Sequence, residues 1–365
     1  MSKHLVFTVT NALNYDQRMQ RICTSLVNAG YRVTLVGWSY PESPILGPQA
    51  FEQVRLPMKN RSGKWRYIEY NYKLLSAIKK LKPDLIGAID LDTILPCYYI
   101  AKQLKVPIIY DAHEYFTELE EVVRRPFTHW IWKKVEAFAV PRIKYGYAVN
   151  DSYVKLFNEK YGVSYEVIRN ATVLKPLPEQ AKSEPYILYQ GAVNEGRALK
   201  QLITAMHQVD CPLIICGKGD LYESLQAYTA EQGLTHKVQF KGFVLPADLV
   251  DITRKAHIGI TLFETSGLSN YYSLANRFFD YMHAGVPQLC NAYPEYIRIN
   301  GEFELANLIE KPDVASIAAG LNRMLQDADY YHRLCTNALK ARETYNWQAE
   351  ELKLVRLYKH IFEAH

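Results

Sequence analysis

Short apolar runs of strand length alternate with stretches of helical period along this chain, and the alternation starts afresh half-way. In the first half "HLVFTVT" precedes "YDQRMQRICTSLVNAG", which has an apolar repeat of three and four residues and ends on Gly30, a residue suited to a helix C-terminus. "RVTLVGW" follows, and then an irregular stretch. After it come the helix "YNYKLLSAIKKLK", the strand "DLIGAID", the helix "ILPCYYIAKQLK" and the strand "VPIIYDAHE". A helix near "WIWKKVEAFAVPRI", the strand "YGYAVN", the helix "DSYVKLFNEKYG" and the strand "YEVIRN" complete this half. Strands that are apolar throughout need cover on both faces, which is the pattern of a parallel sheet between helical layers.

Residues 171–185, "ATVLKPLPEQAKSEP", hold three prolines and little periodicity, and read as a linker. Beyond it "YILYQGA", "PLIICGKGD", "VQFKGFV", "HIGITLFE" and "VPQLCN" alternate with helical stretches again, and the long amphipathic "NWQAEELKLVRLYKHIFEA" closes the chain. The fold class predicted is α/β: two Rossmann-like domains facing across a cleft, residues 1–170 and 186–345, followed by a terminal helix over 346–365. The 365 residues suffice for two cores. In open sheets of this kind ligands bind beyond the carboxyl ends of the strands.

Several classes are disfavoured. No run reaches the ~20 apolar residues of a membrane-spanning helix, and the N-terminus lacks the pattern of a signal peptide. The six cysteines are scattered without a CxxC pair, as expected of reduced thiols in a cytoplasm. Neither GxGxxG after the first strand nor GxxxxGK[ST] occurs, which argues against a dehydrogenase and a P-loop enzyme. No nucleic-acid-binding motif is present. Charge is uneven. The formal net charge is +5, yet the chain up to Pro178 carries 25 Lys and Arg against 16 Asp and Glu, or +9. Such a half suits an anionic partner or membrane surface as well as it suits ordinary solvated charge.

Polar groups gather after the strands of the second half. Gly191 ends "YILYQGA" and Arg197 follows; Gly217 and Lys218 lie in "CGKGD"; Phe243 follows "VQFKG". Then comes "YYSLANRFFDYMHAGVP", read as a helix opening at Ser273 and closing at Gly285. At ~100° per residue Ser273, Asn276, Asp280 and His283 share one stripe, opposite Leu274, Phe278, Tyr281 and Met282. Glycines admit a ligand close to the backbone, and Arg197, Lys218 and a helix N-terminus would suit a diphosphate. Asp280, about two turns along, would accept from a ribose hydroxyl pair. In the first half, Asp90 and Asp92 end one strand, as acceptor-binding groups or helix caps, with capping preferred for Asp92; His113 and Glu114 end the next. Turn formation is the expected role of Asn150 and Asn170.

These stretches, with "DQRMQRICTSLVNAGYRVTLVG", "IDLDTILPCYYIAKQLKVPIIYDAHE", "YQGAVNEGRALKQLITAM" and "SLANRFFDYMHAGVP", resemble the retaining nucleotide-sugar glycosyltransferases of family 4, which have the GT-B fold. The resemblance covers nearly the whole chain. It implies that Asp280 binds the nucleotide ribose, that the amides near Ser273, Leu274 and Asn276 hold the diphosphate, and that Arg197 and Lys218 are the basic pair. It places His113 near the donor sugar, and implies that the terminal helix crosses back to the N-terminal domain. Tyr272 stands where the best-known members carry the first glutamate of an E-x7-E pair, and Ala275 stands where the S-L-P-N-K variant has proline.

The function expected is therefore transfer of a sugar from a nucleoside diphosphate to an acceptor hydroxyl, in the synthesis of a glycan or a lipid-linked saccharide. Retention, no metal and no separate cofactor are expected, and "DLD" at 90–92 is read as incidental. A nucleotide-sugar 2-epimerase of the same fold and a non-catalytic nucleotide-sugar-binding subunit are the rival readings. The expected location is the cytoplasm, with peripheral contact to an anionic membrane through Lys59, Arg61, Lys64 and Arg66 beside Trp65 and Tyr67.

Overall fold

A computed structural model describes residues 2–177, 184–264 and 267–365. It divides the chain into two compact units: Met1–Asn170 with Glu350–His365, and Ala171–Ala349. Residues 178–183 of the expected linker lie outside the described residues.

The first unit is built on seven strands: β1 (His4–Thr8), β2 (Arg32–Ser39), β3 (Glu52–Pro57), β4 (Leu85–Ile89), β5 (Ile108–Ala112), β6 (Tyr145–Ala148) and β7 (Glu166–Val167). Their order is β3-β2-β1-β4-β5-β6-β7, and every pairing is parallel. Leu5 pairs with Val33 on one side and Leu85 on the other, and β1 and β4 are buried along their whole length. The chain therefore winds outward in both directions from β1, and the carboxyl ends of β1 and β4 form the switch point where such sheets bind ligands.

The second unit repeats the plan with β8 (Ile187–Gln190), β9 (Leu213–Cys216), β10 (Val238–Gly242), β11 (Ile258–Thr261), β12 (Gln288–Asn291) and β13 (Ala306–Ile309). The order is β10-β9-β8-β11-β12-β13, again all parallel, with the switch between β8 and β11. One cluster, with Leu202, Ile215, Ile260 and Leu321, fills one face of the sheet; Phe278, Met282, Tyr296 and Ala341 belong to another.

Residues just after Asn170 are part of the second unit. Ala171 is fully buried in its core, and the Thr172 carbonyl accepts from the Trp347 amide at 2.9 Å. The terminal helix Trp347–Glu363 belongs to the first unit from Glu350 onward. There Tyr358 packs 6.1 Å from the Phe7 ring, and Glu350 receives the Arg169 amide at 3.1 Å.

Some expectations are corrected. The stretch expected to be irregular after β2 contains the edge strand β3, and the next helix runs Gly63–Leu81, so Lys64 to Tyr67 lie in its first turns. The helix expected from Ser273 begins at Asn276 and runs to Ala284. Ala275 holds extended backbone (φ −69°, ψ 142°), and its amide donates to the Tyr296 hydroxyl at 3.1 Å. A separate turn of helix, Leu268–Tyr271, precedes it. Gly285 ends the longer helix with φ 70°, a left-handed conformation that glycine adopts without steric cost.

Candidate functional site

In the second unit the loops after β8, β9 and β10 close on one another. The Gly191 amide donates to the Cys216 carbonyl at 3.0 Å, and the Gly217 amide to the Gly242 carbonyl at 2.7 Å. Gly217 has φ 150°, and a Cβ there would lie 1.8 Å from the Gly191 carbonyl oxygen. Only glycine permits that approach. Lys218 extends from this turn, exposed, while its carbonyl accepts from the Val193 amide at 3.1 Å. Phe243 follows the last loop and is about half exposed. Four residues expected to form the site, Gly191, Gly217, Lys218 and Phe243, thus come together.

Arg197 and Arg277 flank one ring. Their guanidinium carbons lie 4.7 and 5.0 Å from the Phe263 centroid, and Arg277 lies 4.9 Å from that of Tyr189. Arg277 is only 8% exposed. Its Nη2 donates to the Leu262 carbonyl at 3.4 Å, its Nε has no partner, and no carboxylate pairs with it among the described residues. Aromatic faces offset part of the cost of burying this cation, but a buried charge without a counter-charge remains costly. Nη1 lies on the Gly191 side, 3.0 Å from where a Cβ on that glycine would stand. Sequence reasoning missed Arg277. Its signal was a lone cation at position i−4 from Tyr281, on the apolar side of the helix.

The other expected residues divide. The Asp280 carboxylate accepts from Thr172 Oγ1 at 2.7 Å and from Gln190 Nε2 at 3.1 Å, while Gln190 Oε1 accepts from Thr253 at 2.6 Å. These bonds tie Asp280 to the end of β8, beside Gly191. Asn276 is the exposed first residue of its helix. Ser273 Oγ donates to the Asn270 carbonyl at 2.8 Å, in the preceding turn. Leu274 has its side chain in the core, 5% exposed. His283, expected on the polar stripe with Ser273, Asn276 and Asp280, is buried instead. It is 6% exposed, its Nε2 lies 2.9 Å from the Tyr345 carbonyl, and burial pushes its pKa down to about 4. The helix is packed on nearly all sides, which a wheel drawn for one apolar face does not show.

In the first unit the switch point is polar. Asp90 stands at φ 57°, a strained conformation for a residue with a Cβ. Its Oδ1 accepts the amides of His113 at 2.9 Å and Glu114 at 3.2 Å, and its Oδ2 lies 3.8 Å from His113 Nδ1. Burial pushes its pKa well up, with the charges of Glu114, Asp92 and Asp111 acting in the same direction. Beneath this loop Arg18 and Asp111 form a buried two-pronged ion pair, at 2.7 and 3.1 Å, each side chain 1% exposed. Desolvation, then Arg18 and Arg21, holds the His113 imidazole neutral, with its pKa at about 3, although a third of its surface is open.

Asp92 does not cap the helix after β4. Its Oδ2 accepts from Thr10 Oγ1 at 2.6 Å, joining the ends of β1 and β4, and its buried Oδ1 has no partner among the described residues. Burial pushes its pKa up to about 7. Asn150 caps the helix Asp151–Tyr161, its Oδ1 accepting the Tyr153 amide at 2.8 Å, and Asn170 accepts from Arg21. Among the described residues no three His, Cys, Asp or Glu side chains are grouped as for a metal ion, and no helix is long and apolar enough to cross a membrane.

Two family models cover most of the chain: one described as Glycosyltransferase Family 4 matches residues 17–174, and one described as Glycosyl transferases group 1 matches residues 175–341. The chain belongs to the family-4-like glycosyltransferases of GT-B fold. An uncharacterised glycosyltransferase of Methanocaldococcus jannaschii, MJ1607, is 26% identical over 183 residues, which are 48% of this chain and 45% of that relative's length. Among solved structures, sucrose-phosphate synthase from Thermosynechococcus elongatus is similar with a TM-score of 0.83 at 16% identity, over 100% of both chains. Anabaena HepE in complex with UDP-glucose gives 0.76 at 12%, over 98% of this chain and 99% of the other. WaaG, a glycosyltransferase involved in lipopolysaccharide biosynthesis, gives 0.74 at 16%, over 96% and 98%. At these identities the likeness is one of fold, and it agrees with the two parallel sheets described above.

Proposed function

We propose that this glycosyltransferase-family chain transfers a sugar from a nucleoside diphosphate to an acceptor hydroxyl, with retention at the anomeric carbon and without a metal. The observation that carries the reading is Arg277: a buried cation with no carboxylate partner among the described residues, aimed toward Gly191 and sharing the Phe263 ring with Arg197. A diphosphate beside the Gly191, Gly217 and Gly242 loops would supply the missing counter-charge. Arg197, Arg277, Lys218 and the start of the Asn276–Ala284 helix would then stabilise the charge that grows on the leaving diphosphate, through groups already in place. Asp280, oriented by Thr172 and Gln190, is the acid that would accept from a ribose hydroxyl. In the first unit His113, neutral and held by Asp90, and Glu114 are the proposed catalytic groups.

The test is a thermal-shift series with UDP, GDP, dTDP and ADP sugars, followed by NMR of the product formed with a saccharide acceptor. A ligand at 100 times its Kd should add about 2.7 kcal/mol of stability. No stabilisation by any of the four would overturn the donor reading, and a product of inverted configuration would overturn retention.

We also infer a location in the cytoplasm, with peripheral contact to an anionic membrane and a lipid-linked or other saccharide acceptor. Support comes from six free cysteines and from the +9 charge of the chain up to Pro178. Of the basic cluster read from sequence, Arg61 is paired with Glu42, and Arg66 lies over the Trp38 and Tyr67 rings at 4.9 and 5.3 Å. Cosedimentation with anionic vesicles at low salt tests the contact.

A further inference from the structure

The helix Pro126–Ala139 turns large apolar side chains outward. Phe127 is 74% exposed, Trp130 57% and Ile131 39%, and Val123 just before the helix is 39% exposed. Phe127, Trp130 and Ile131 are spaced i, i+3, i+4, so they form one stripe. The Phe127 and Trp130 rings stack 6.2 Å apart at 19°, and Lys134, one turn further on, lies 5.9 Å from the Trp130 ring. This helix is linked to the basic helix Gly63–Leu81 by a ring contact, Trp132 to Tyr67 at 6.2 Å. There Trp65 and Ile68 are 61% and 55% exposed.

Taken together, basic residues outnumber acidic ones on this helix, in the segment before it and in the first turns of the helix it touches. Lys64, Arg66, Arg124, Arg125, Lys133 and Lys134 stand against Glu118, Glu120 and Glu121. Two of those acids pair with two of the cations, Glu118 with Lys133 at 3.3 Å and Glu120 with Arg124 at 2.5 Å, and the balance of charge then rests on Lys64, Arg66, Arg125 and Lys134 against Glu121. Single exposed apolar residues are ordinary on a protein surface; an aromatic stripe on one helix face, rimmed by Lys and Arg, is the pattern of a helix lying in a bilayer interface. Trp rings favour that depth, while long basic side chains reach anionic headgroups.

We infer that the outward face of Pro126–Ala139, with Phe127, Trp130 and Ile131 as the inserting side chains, is the element that docks this chain on an anionic lipid bilayer. The inference rests on the peripheral-contact reading above, and moves the point of insertion from the Lys59–Tyr67 cluster to a neighbouring helix. The basic residues draw the face to the surface, and the rings enter between the headgroups.

The full chain is to be cosedimented at low salt with vesicles of phosphatidylcholine alone and of phosphatidylcholine with phosphatidylglycerol. Binding is expected only to the anionic vesicles. Phe127→Ser with Trp130→Ser should reduce it at least tenfold, whereas Lys59→Gln with Arg61→Gln should change it less than twofold. Tryptophan emission should shift to the blue on anionic vesicles, and Trp130→Phe alone should remove most of the shift, which keeps the test valid if the double variant folds poorly. Salt-sensitive binding unaffected by Phe127→Ser/Trp130→Ser and by Trp130→Phe overturns this inference and leaves peripheral contact standing. Equal binding to both vesicle types overturns the requirement for anionic lipid. Failure of the unsubstituted chain to bind anionic vesicles overturns both.

Discussion

Thr172 Oγ1 donates to Asp280 Oδ1 at 2.7 Å, so one of the first residues of the second unit holds the acid of the proposed donor helix. With Gln190 on the other oxygen, this carboxylate is oriented before any ligand arrives. Asp280→Ala should weaken nucleotide binding by about 1.5–3 kcal/mol, the range for a hydrogen bond to a charged group. Thr172→Val should cost less, since it removes orientation and leaves the acceptor. Calorimetric titration of the nucleotide into both variants is the measurement. Unchanged affinity in folded Asp280→Ala would make the acid structural.

Arg277 should separate binding from folding. Its charge is uncompensated by any carboxylate among the described residues. Arg277→Met keeps much of the volume and removes the cation, so it should leave the free protein at least as stable while weakening diphosphate binding by about 2–5 kcal/mol, the range for a buried charged contact. A melting curve and a titration of the same variant decide the matter. A large loss of stability with normal affinity would assign Arg277 to the core.

Gly217→Ala should be severe. The new methyl would meet the Gly191 carbonyl at 1.8 Å from a backbone at φ 150°. Loops after β8 and β9 would have to part, at a cost of more than about 2 kcal/mol, with nucleotide binding lost as well. Chemical denaturation gives the first number and titration the second. Gly30→Ala, where φ is 94° but no atom lies within 4 Å of the added methyl, should share the backbone strain without the loss of binding.

Asp92 predicts a pH dependence. Its folded pKa, about 7, lies above the ordinary 3.8 of an aspartate, because burial disfavours the carboxylate. The unfolded chain releases this proton first, so the contribution to stability is complete below about pH 4 and is lost as pH rises through 7. In Asp92→Asn that loss should vanish. The melting temperature of the variant relative to the unsubstituted chain should therefore climb between pH 5 and pH 8. Parallel curves over that range would show that Asp92 ionises normally.

Much of the protein was legible in its sequence because period reports burial. Apolar runs such as "LIGAI" and "IIYDA" need cover on two faces, and that need implies parallel strands between helices in both halves. Local stereochemistry was legible too: Gly285 ends its helix at φ 70°. The glycines of the "YQG" and "CGKG" turns point in sequence to a ligand close to the backbone. Tertiary structure alone decided what those residues meet. Neither Gly217 nor Gly191 reveals in sequence that the other is its neighbour, and Asp280 gives no hint of Thr172, 108 positions away. Arg277 carries no role in the sequence pattern, and packing buries it against Tyr189 and Phe263; His283 falls on the polar stripe by period, and the fold sets it against the Tyr345 carbonyl. The division has one physical cause. Secondary structure follows from the period and stereochemistry of neighbouring residues, whereas the charge, desolvation and partners of a side chain are set by segments that only the folded chain brings together.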